Sequence, residues 1–434
     1  MTRGAIEVAR SRGHQVVAAL LVGGIEKLRS EGPPDVGVPV RAPRGPIGPA
    51  LVGAIRDLAV EIVLDLSDEP VLGYRERMEA VAATLAAGAT YRGPDFMFTP
   101  PTADPAPVGV PTVAVIGTGK RTGKTAIAGE VARRAAELGL DPVVVAMGRG
   151  GPAEPQVVEA GTVTLERLLS VARAGGHAAS DYLEDALTTG VTTIGARRAG
   201  GGLAGEPYDT NVAEAVALAA ARRPGVLVLE GSGAALPPIA WDAGILVVPV
   251  TCPLEYLRGY LGPYRLLRTD VAIVTMMNDP ALGSEDLSAL TSHLRAALGE
   301  ARYVVTDFSP VPLADVAGRD VFLTTTAPGA VAARHAAYLA DAFGCRVVGW
   351  SARLADRAGL AEDLDSAPGF EVLLTELKAA AIDVASERAV ERGAEVVFVD
   401  NRARTVGGET ELVPLLSEAI GLAMERSKAR GSTG

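Results

Sequence analysis

Gly123, Lys124 and Thr125 stand in the stretch VIGTGKRTGKTAIAG (residues 115–129), where an apolar run passes through a glycine-rich loop into alanine-rich sequence. This pattern suits a chain of phosphates. Backbone N–H groups and the positive end of a helix dipole gather on one point, Lys124 reaches the outer phosphates, and the Thr125 hydroxyl holds Mg²⁺. Glu230 ends the strand-like run VLVLEGSG (residues 226–233) at a sharp turn, where a carboxylate can hold the ion or its water shell. The loop of VVVAMGRGGPAEP (residues 143–155) adds Arg149 for a phosphate and Glu154 for metal or proton handling.

The strict G-x-x-x-x-G-K-[ST] spacing is not met, because Thr118 stands where its first glycine would be and Gly117 precedes it by one. The nucleotide-binding candidates are Gly117, Thr118, Gly119, Lys120, Arg121, Thr122, Gly123, Lys124 and Thr125, with Asn278 on a loop placed to contact a base. Lysine usage sharpens the choice. Only five lysines, Lys27, Lys120, Lys124, Lys378 and Lys428, occur among 41 basic residues, so a lysine at a loop or strand end suggests a need for its compact point charge.

These groups need strands to present them. PTVAVIG, DPVVVAMG, GVLVLEGSG, GILVVPV and DVAIVTMM are apolar runs bounded by turn residues and mostly separated by helical stretches. Runs of this kind belong to strands covered on both faces, which predicts an α/β fold with a doubly wound parallel sheet. A further set, RDVFLTTTAP, CRVVGWSAR, FEVLLTELK and AEVVFVDN, forms its own Rossmann-like domain or an extension, and the sequence does not decide which. The proline-rich TPPTADPAPVGVP (residues 99–111) is a linker. Before it, QVVAALLVGG, EIVLDLSDEP and the helical YRERMEAVAATLAAG suggest a small α/β layer. The expected units are residues 1–104, a P-loop domain over 110–318, and 319–427; the end, SKARGSTG, reads as frayed.

At 434 residues the chain can hold several cores. A net charge of −11 opposes a nucleic-acid partner, and no run of about 18 apolar residues suggests a membrane span. No secretion signal is read, so the cytoplasm is the expected compartment. Cys252 and Cys345 are far apart, and His14, His177, His293 and His335 are scattered, which supports neither a disulfide nor a histidine-metal site or triad. Polar clusters at strand ends gather Asp65, Asp68, Glu69, Arg75 and Arg77; Arg92 and Asp95; Glu376, Lys378 and Asp383; and Asp400, Asn401 and Arg402. Ligands of open α/β sheets bind at such carboxyl ends. Asp181, in HAASDYLEDAL, reads as a first-turn helix acid or a substrate ligand.

The loop at Gly117 resembles that of the dethiobiotin synthetase branch of P-loop proteins, as does Glu230 followed by Gly231 and Gly233. The lysine that MinD-like ATPases extend across a dimer would fall at Gly119, one position from Lys120. More specifically, ALLVGGIEKL, DLSDEPVLGYRER, YRGPDF, VIGTGKRTGKTA, VVAMGRGGPAEP, ASDYLEDAL, LEGSGAALPP, TELKAAAIDV and VFVDN together resemble the cyclic 2,3-diphosphoglycerate synthetase family over nearly the whole chain. The resemblance implies an ATP- and Mg²⁺-dependent ligase that closes 2,3-diphosphoglycerate into an intramolecular pyrophosphate, a compatible solute. It implies Lys124, Lys120, Arg149 and Glu230 as catalytic, Thr125 and Glu230 at the metal, and Arg149, Lys378, Asn401, Arg75 and Asp181 around the substrate. No nucleic-acid or membrane partner is implied, and a homodimer is left open. The family's opening strand, with its DGEHYPP-like segment, has no counterpart before the first helix, so the N-terminal unit is expected to lack it. The alternatives are a P-loop kinase or ligase for another small polyacid, and a MinD-like nucleotide switch.

Overall fold

Five of the apolar runs become neighbouring strands with almost every residue buried, as continuous apolar sequence requires when both faces are covered. The computed structural model describes residues 2–22, 35–42, 45–279 and 284–432, and Lys27 lies outside them. The chain divides into two compact units, Met1–Thr102 with Pro253–Arg268, and Ala103–Cys252 with Thr269–Gly434.

In the larger unit the sheet runs in the order Asp209–Thr210, Thr192–Ala199, Pro142–Gly148, Val226–Glu230, Thr112–Gly117, Ala243–Pro249, Val271–Thr275 and Tyr303–Pro312. Pairing is parallel from Thr192–Ala199 onward. Tyr303–Pro312 then pairs antiparallel with the long strand Glu395–Gly408, which pairs parallel with Val372–Thr375, followed by Asp320–Thr324 and Arg346–Ser351. The later strand set therefore continues the P-loop sheet through one antiparallel pair. Beyond Val305 the Tyr303–Pro312 strand has its ladder on the Glu395–Gly408 side only, which accommodates Pro310 and Pro312.

The helix Leu412–Ser432 closes the core beneath the P-loop. Leu412, Leu415, Leu416, Ala419, Ile420 and Ala423 recur at helical spacing and pack with Val113, Val115, Ile127 and Val131. The frayed end expected from SKARGSTG is corrected as far as Ser432. Arg430 Nη1 donates to the carbonyls of Ala106 and Pro107 at 2.8 Å each, and its Nη2 donates to Asp242 at 2.8 Å. Asp242 in turn accepts from the Thr112 N–H and hydroxyl, both at 2.9 Å, so the helix grips the first residue of the P-loop strand.

A buried ionic network ties the helix Lys124–Glu137 to the long strand. Glu130 accepts from Arg402 Nε at 2.7 Å and from the Ala403 N–H at 3.2 Å, and pairs with Arg133 at 3.1 Å. Arg133 also pairs with Asp400 at 3.0 Å. The expected strand-end cluster of Asp400 and Arg402 is thereby engaged in holding two elements together.

In the smaller unit, Ala19–Leu20 pairs parallel with Val40–Arg41, and Ile62–Leu64 pairs with Thr90–Arg92, which pairs antiparallel with Met97–Phe98. Asp65 accepts from Arg77 Nε, the Tyr91 hydroxyl and the Ser67 N–H at 2.8–2.9 Å, a satisfied internal network. Residues 253–268 belong to this unit: the Tyr74 hydroxyl accepts from the Tyr260 N–H at 2.7 Å, and Arg75 pairs with Glu255. Among the described residues, no helix is long and apolar enough to cross a membrane.

Candidate active site

The strand Thr112–Gly117 feeds the loop, and the helix Lys124–Glu137 leaves it. Gly123 turns the chain at φ 89°, where a Cβ would also lie 2.5 Å from the Phe308 ring, so glycine is required on both counts. The Thr275 hydroxyl donates to the Thr122 carbonyl at 2.8 Å and braces the loop from the strand two places along the sheet. Lys124 Nζ donates to the Gly119 carbonyl at 2.7 Å and to the Thr122 hydroxyl at 3.2 Å, closing the loop on itself.

The Thr125 hydroxyl donates to Glu230 Oε1 at 2.7 Å. Glu230 Oε2 and both carboxyl oxygens of Asp185 are buried without a hydrogen-bond partner. Burial lifts the Glu230 pKa to about 8, with Asp181 adding repulsion, and burial with the neighbouring Glu230 lifts Asp185 well above its ordinary value. The buried Glu230 and Asp185 carboxyls face each other closely enough to share a proton, and such a pair beside a threonine hydroxyl fits a divalent cation. Among the described residues no group of three or more His, Cys, Asp or Glu side chains is placed to hold a metal ion.

The helix Asp181–Thr189 carries Asp181, Glu184 and Asp185 at i, i+3 and i+4, one face turned to the site. The Asp181 carboxylate would lie 3.6 Å from a Cβ on Gly148, at the carboxyl end of the Pro142–Gly148 strand. Its charge interacts with Lys124, Lys378, His177 and Arg198. Lys378 Nζ pairs with Glu184 at 3.3 Å. Burial would lower the Lys378 pKa, but Glu184 and Glu376 outweigh it and hold it above its ordinary value, while burial raises Glu184 to about 7. Glu376 accepts from the Thr325 and Thr326 hydroxyls at 2.7 and 2.8 Å and from Asn401 Nδ2 at 3.1 Å. The carboxyl edges of both strand sets thus meet across one helix.

Of the residues expected from sequence, Lys120, Lys124, Thr125, Glu230, Arg149, Asp181 and Lys378 come together here, and Asn401 adjoins them through Glu376. Glu154 is exposed on the loop whose Pro152 and Ala153 carbonyls accept from Asn211. Asn278 donates its Nδ2 to Asp307, and its carbonyl accepts from Arg334 at 2.6 Å. Arg75 belongs to the smaller unit, where it pairs with Glu255. Sequence reasoning missed Glu184 and Asp185, which the i, i+3, i+4 acidic spacing of SDYLED signals. It also missed Arg198 and set aside His177, which packs 3.7 Å from where a Cβ on Gly150 would stand.

Burial also lowers Lys124 to about 8, against the pull of Glu230 and Asp181. As pH rises from 7 to 9, Lys124 therefore loses a positive charge while Glu230 gains a negative one, and both changes oppose a polyanion. Metal-free nucleoside triphosphate is expected to bind about tenfold more weakly at pH 9 than at pH 7. Fluorescence titration in chelator at fixed ionic strength checks this, and an affinity that stays flat or rises contradicts it.

Comparison with known proteins places these features. Models of the P-loop, C-terminal and N-terminal domains of cyclic 2,3-diphosphoglycerate synthetase match residues 112–306, 312–402 and 1–99. A protein of Rubrobacter xylanophilus named cyclic 2,3-diphosphoglycerate synthetase is 43% identical over 429 residues, 98% of this chain and 94% of its own. Proteins of the same name from Methanothermobacter thermautotrophicus and Thermococcus kodakarensis are each 40% identical, over 92% and 91% of this chain and 89% and 90% of theirs. With matches along nearly its full length, the chain belongs to the cyclic 2,3-diphosphoglycerate synthetase family.

Proposed function

We propose that this chain is an ATP-dependent cyclase, acting in the cytoplasm, that converts 2,3-diphosphoglycerate into its cyclic pyrophosphate and releases ADP and inorganic phosphate. The observation that carries the reading is the meeting of a nucleotide loop with further cations, Lys378 and Arg198, around Asp181.

Two phosphates on one three-carbon acid repel, and neither carries a leaving group. Transfer of the γ-phosphoryl group of ATP to an oxygen of one substrate phosphate creates an anhydride and frees ADP. An oxygen of the other substrate phosphate then attacks the activated substrate phosphorus, the bond to the transferred group breaks, and that group departs as inorganic phosphate. No water is consumed, and no general base is needed when phosphate oxyanions attack directly. Proximity within one molecule supplies much of the rate, and positioning with charge neutralisation supplies the rest.

In this reading Lys124 neutralises the outer phosphates of ATP once it leaves the Gly119 carbonyl, and Asn278 meets the base. When bound, Mg²⁺ offsets charge on the transferred group, and Thr125 and Glu230 are the residues that would hold it. Lys120, Arg149, Lys378, Asp181 and Asn401 serve the substrate, with Lys378 exchanging Glu184 for a phosphate.

The test is phosphorus NMR of the protein with Mg-ATP and 2,3-diphosphoglycerate. Coupled pyrophosphate signals from a non-nucleotide product, appearing together with ADP and phosphate, are expected. Intact 2,3-diphosphoglycerate alongside normal ATP binding would sink the cyclase reading.

A further inference from the structure

Arg198 lies near the end of the Thr192–Ala199 strand and is only 6% exposed. Its Nη1 donates to the Gly200 carbonyl and its Nη2 to the Ser232 carbonyl at 2.8 Å, while its buried Nε has no partner. Gly233, at φ 60°, passes so close that a Cβ there would lie 3.1 Å from Arg198 Nη2 and 3.6 Å from Lys120 Cγ. Burial first, then the charge of Arg149, lowers the Arg198 pKa, and Lys124 is also within reach of its repulsion.

Lys120, Lys124, Arg149 and Arg198 thus converge from the ends of three strands, and Asp181 is the carboxylate that opposes Arg198. Guanidinium groups do not shed their protons, so like charges brought this close, one of them buried with an idle donor, raise the energy of the unliganded protein. An anion lying between them would relieve that repulsion and satisfy Nε. Two carbonyls already fix the guanidinium plane, so it is preorganised for a phosphate.

We propose that Arg198, with Arg149, forms a phosphate site for the small-molecule substrate, separate from the nucleotide's own phosphate loop. Its identification with a phosphate of 2,3-diphosphoglycerate rests on the function proposed above. Arg198 is then a binding residue of the acceptor side, and the two carbonyl bonds keep its donors from following the nucleotide.

The experiment loads the protein with Mg²⁺ and a non-hydrolysable ATP analogue, so that the P-loop is filled, and titrates 2,3-diphosphoglycerate and, separately, inorganic pyrophosphate by calorimetry. Arg198→Gln is expected to weaken 2,3-diphosphoglycerate at least tenfold while the analogue's own affinity stays within threefold. Arg149→Gln, at an exposed position where folding is not at stake, is expected to weaken it in the same direction, and the double variant by less than the product of the two. Unchanged 2,3-diphosphoglycerate affinity in both variants, or an equal loss for analogue and substrate, overturns the site and leaves the cyclase reading standing. If the wild type ignores 2,3-diphosphoglycerate yet binds pyrophosphate in an Arg198-dependent manner, the phosphate site is upheld and the cyclase reading falls.

Discussion

Lys124→Ala lowers kcat/KM for formation of the cyclic product by about 10²–10³-fold, the usual consequence of removing one preorganised charge from a developing phosphoryl transition state. The side chain is 6% exposed and is held by the Gly119 carbonyl and the Thr122 hydroxyl, so solvent supplies no replacement charge of comparable position. Lys124→Arg fares little better, because a planar fork cannot take the place of a compact ammonium inside a tight loop. Stability moves the other way. Burial already presses Lys124 toward its neutral form, so deleting the charge removes a desolvation cost, and the melting temperature is expected to hold or rise. Phosphate-release kinetics paired with thermal melts check both parts. A variant within tenfold of wild type would remove Lys124 from the chemistry.

Glu130→Ala destabilises the larger unit by about 3–5 kcal/mol, the range found when one member of a buried ion network is deleted. Arg133 and Arg402 would be left facing each other beside Asp400 alone. Burial pushes the Glu130 pKa up, but the Arg402 hydrogen bonds and the charges of Arg133 and Arg402 more than reverse this and hold it below 4.5. A carboxyl held below its unfolded value stabilises the fold above that value and loses its contribution as pH falls through the folded pKa. The deficit of the alanine variant should therefore be full at pH 7 and shrink in acid. Denaturant unfolding at both pH values measures it. A loss under 1 kcal/mol at pH 7 would mean the arginines find other partners.

The nucleotide side was legible because its strands are continuous apolar runs and its loop is punctuated by Gly117, Gly119 and Gly123. The side proposed for the acceptor was only half legible. VTTIGARRA, the segment that carries Arg198, mixes threonines and arginines into its strand and gives no clean apolar run. YVVTDFSPVP hid as a strand behind Pro310 and Pro312, and with it went the one antiparallel pair that unites both strand sets. His177 has no local signature, since its place beside Gly150 and Asp181 comes only from tertiary packing. Lys378 and Glu376 were found because TELKAAAIDV follows an apolar run, but their dependence on Glu184, far away in sequence, could not be read. The alanine-rich helices obscured the last element as well. The polar end SKARGSTG reads as frayed on its own, and only the packing of Leu412, Leu415 and Leu416 against the sheet fixes the helix that carries it.

That last helix carries a consequence for how the protein is made. A ribosome delivers the phosphate loop early, yet Leu412–Ser432, which shields the underside of its strands and clasps Asp242 through Arg430, emerges after every other described element. Through most of translation the nascent sheet has one greasy flank without its native cover, so chaperone occupancy should concentrate there.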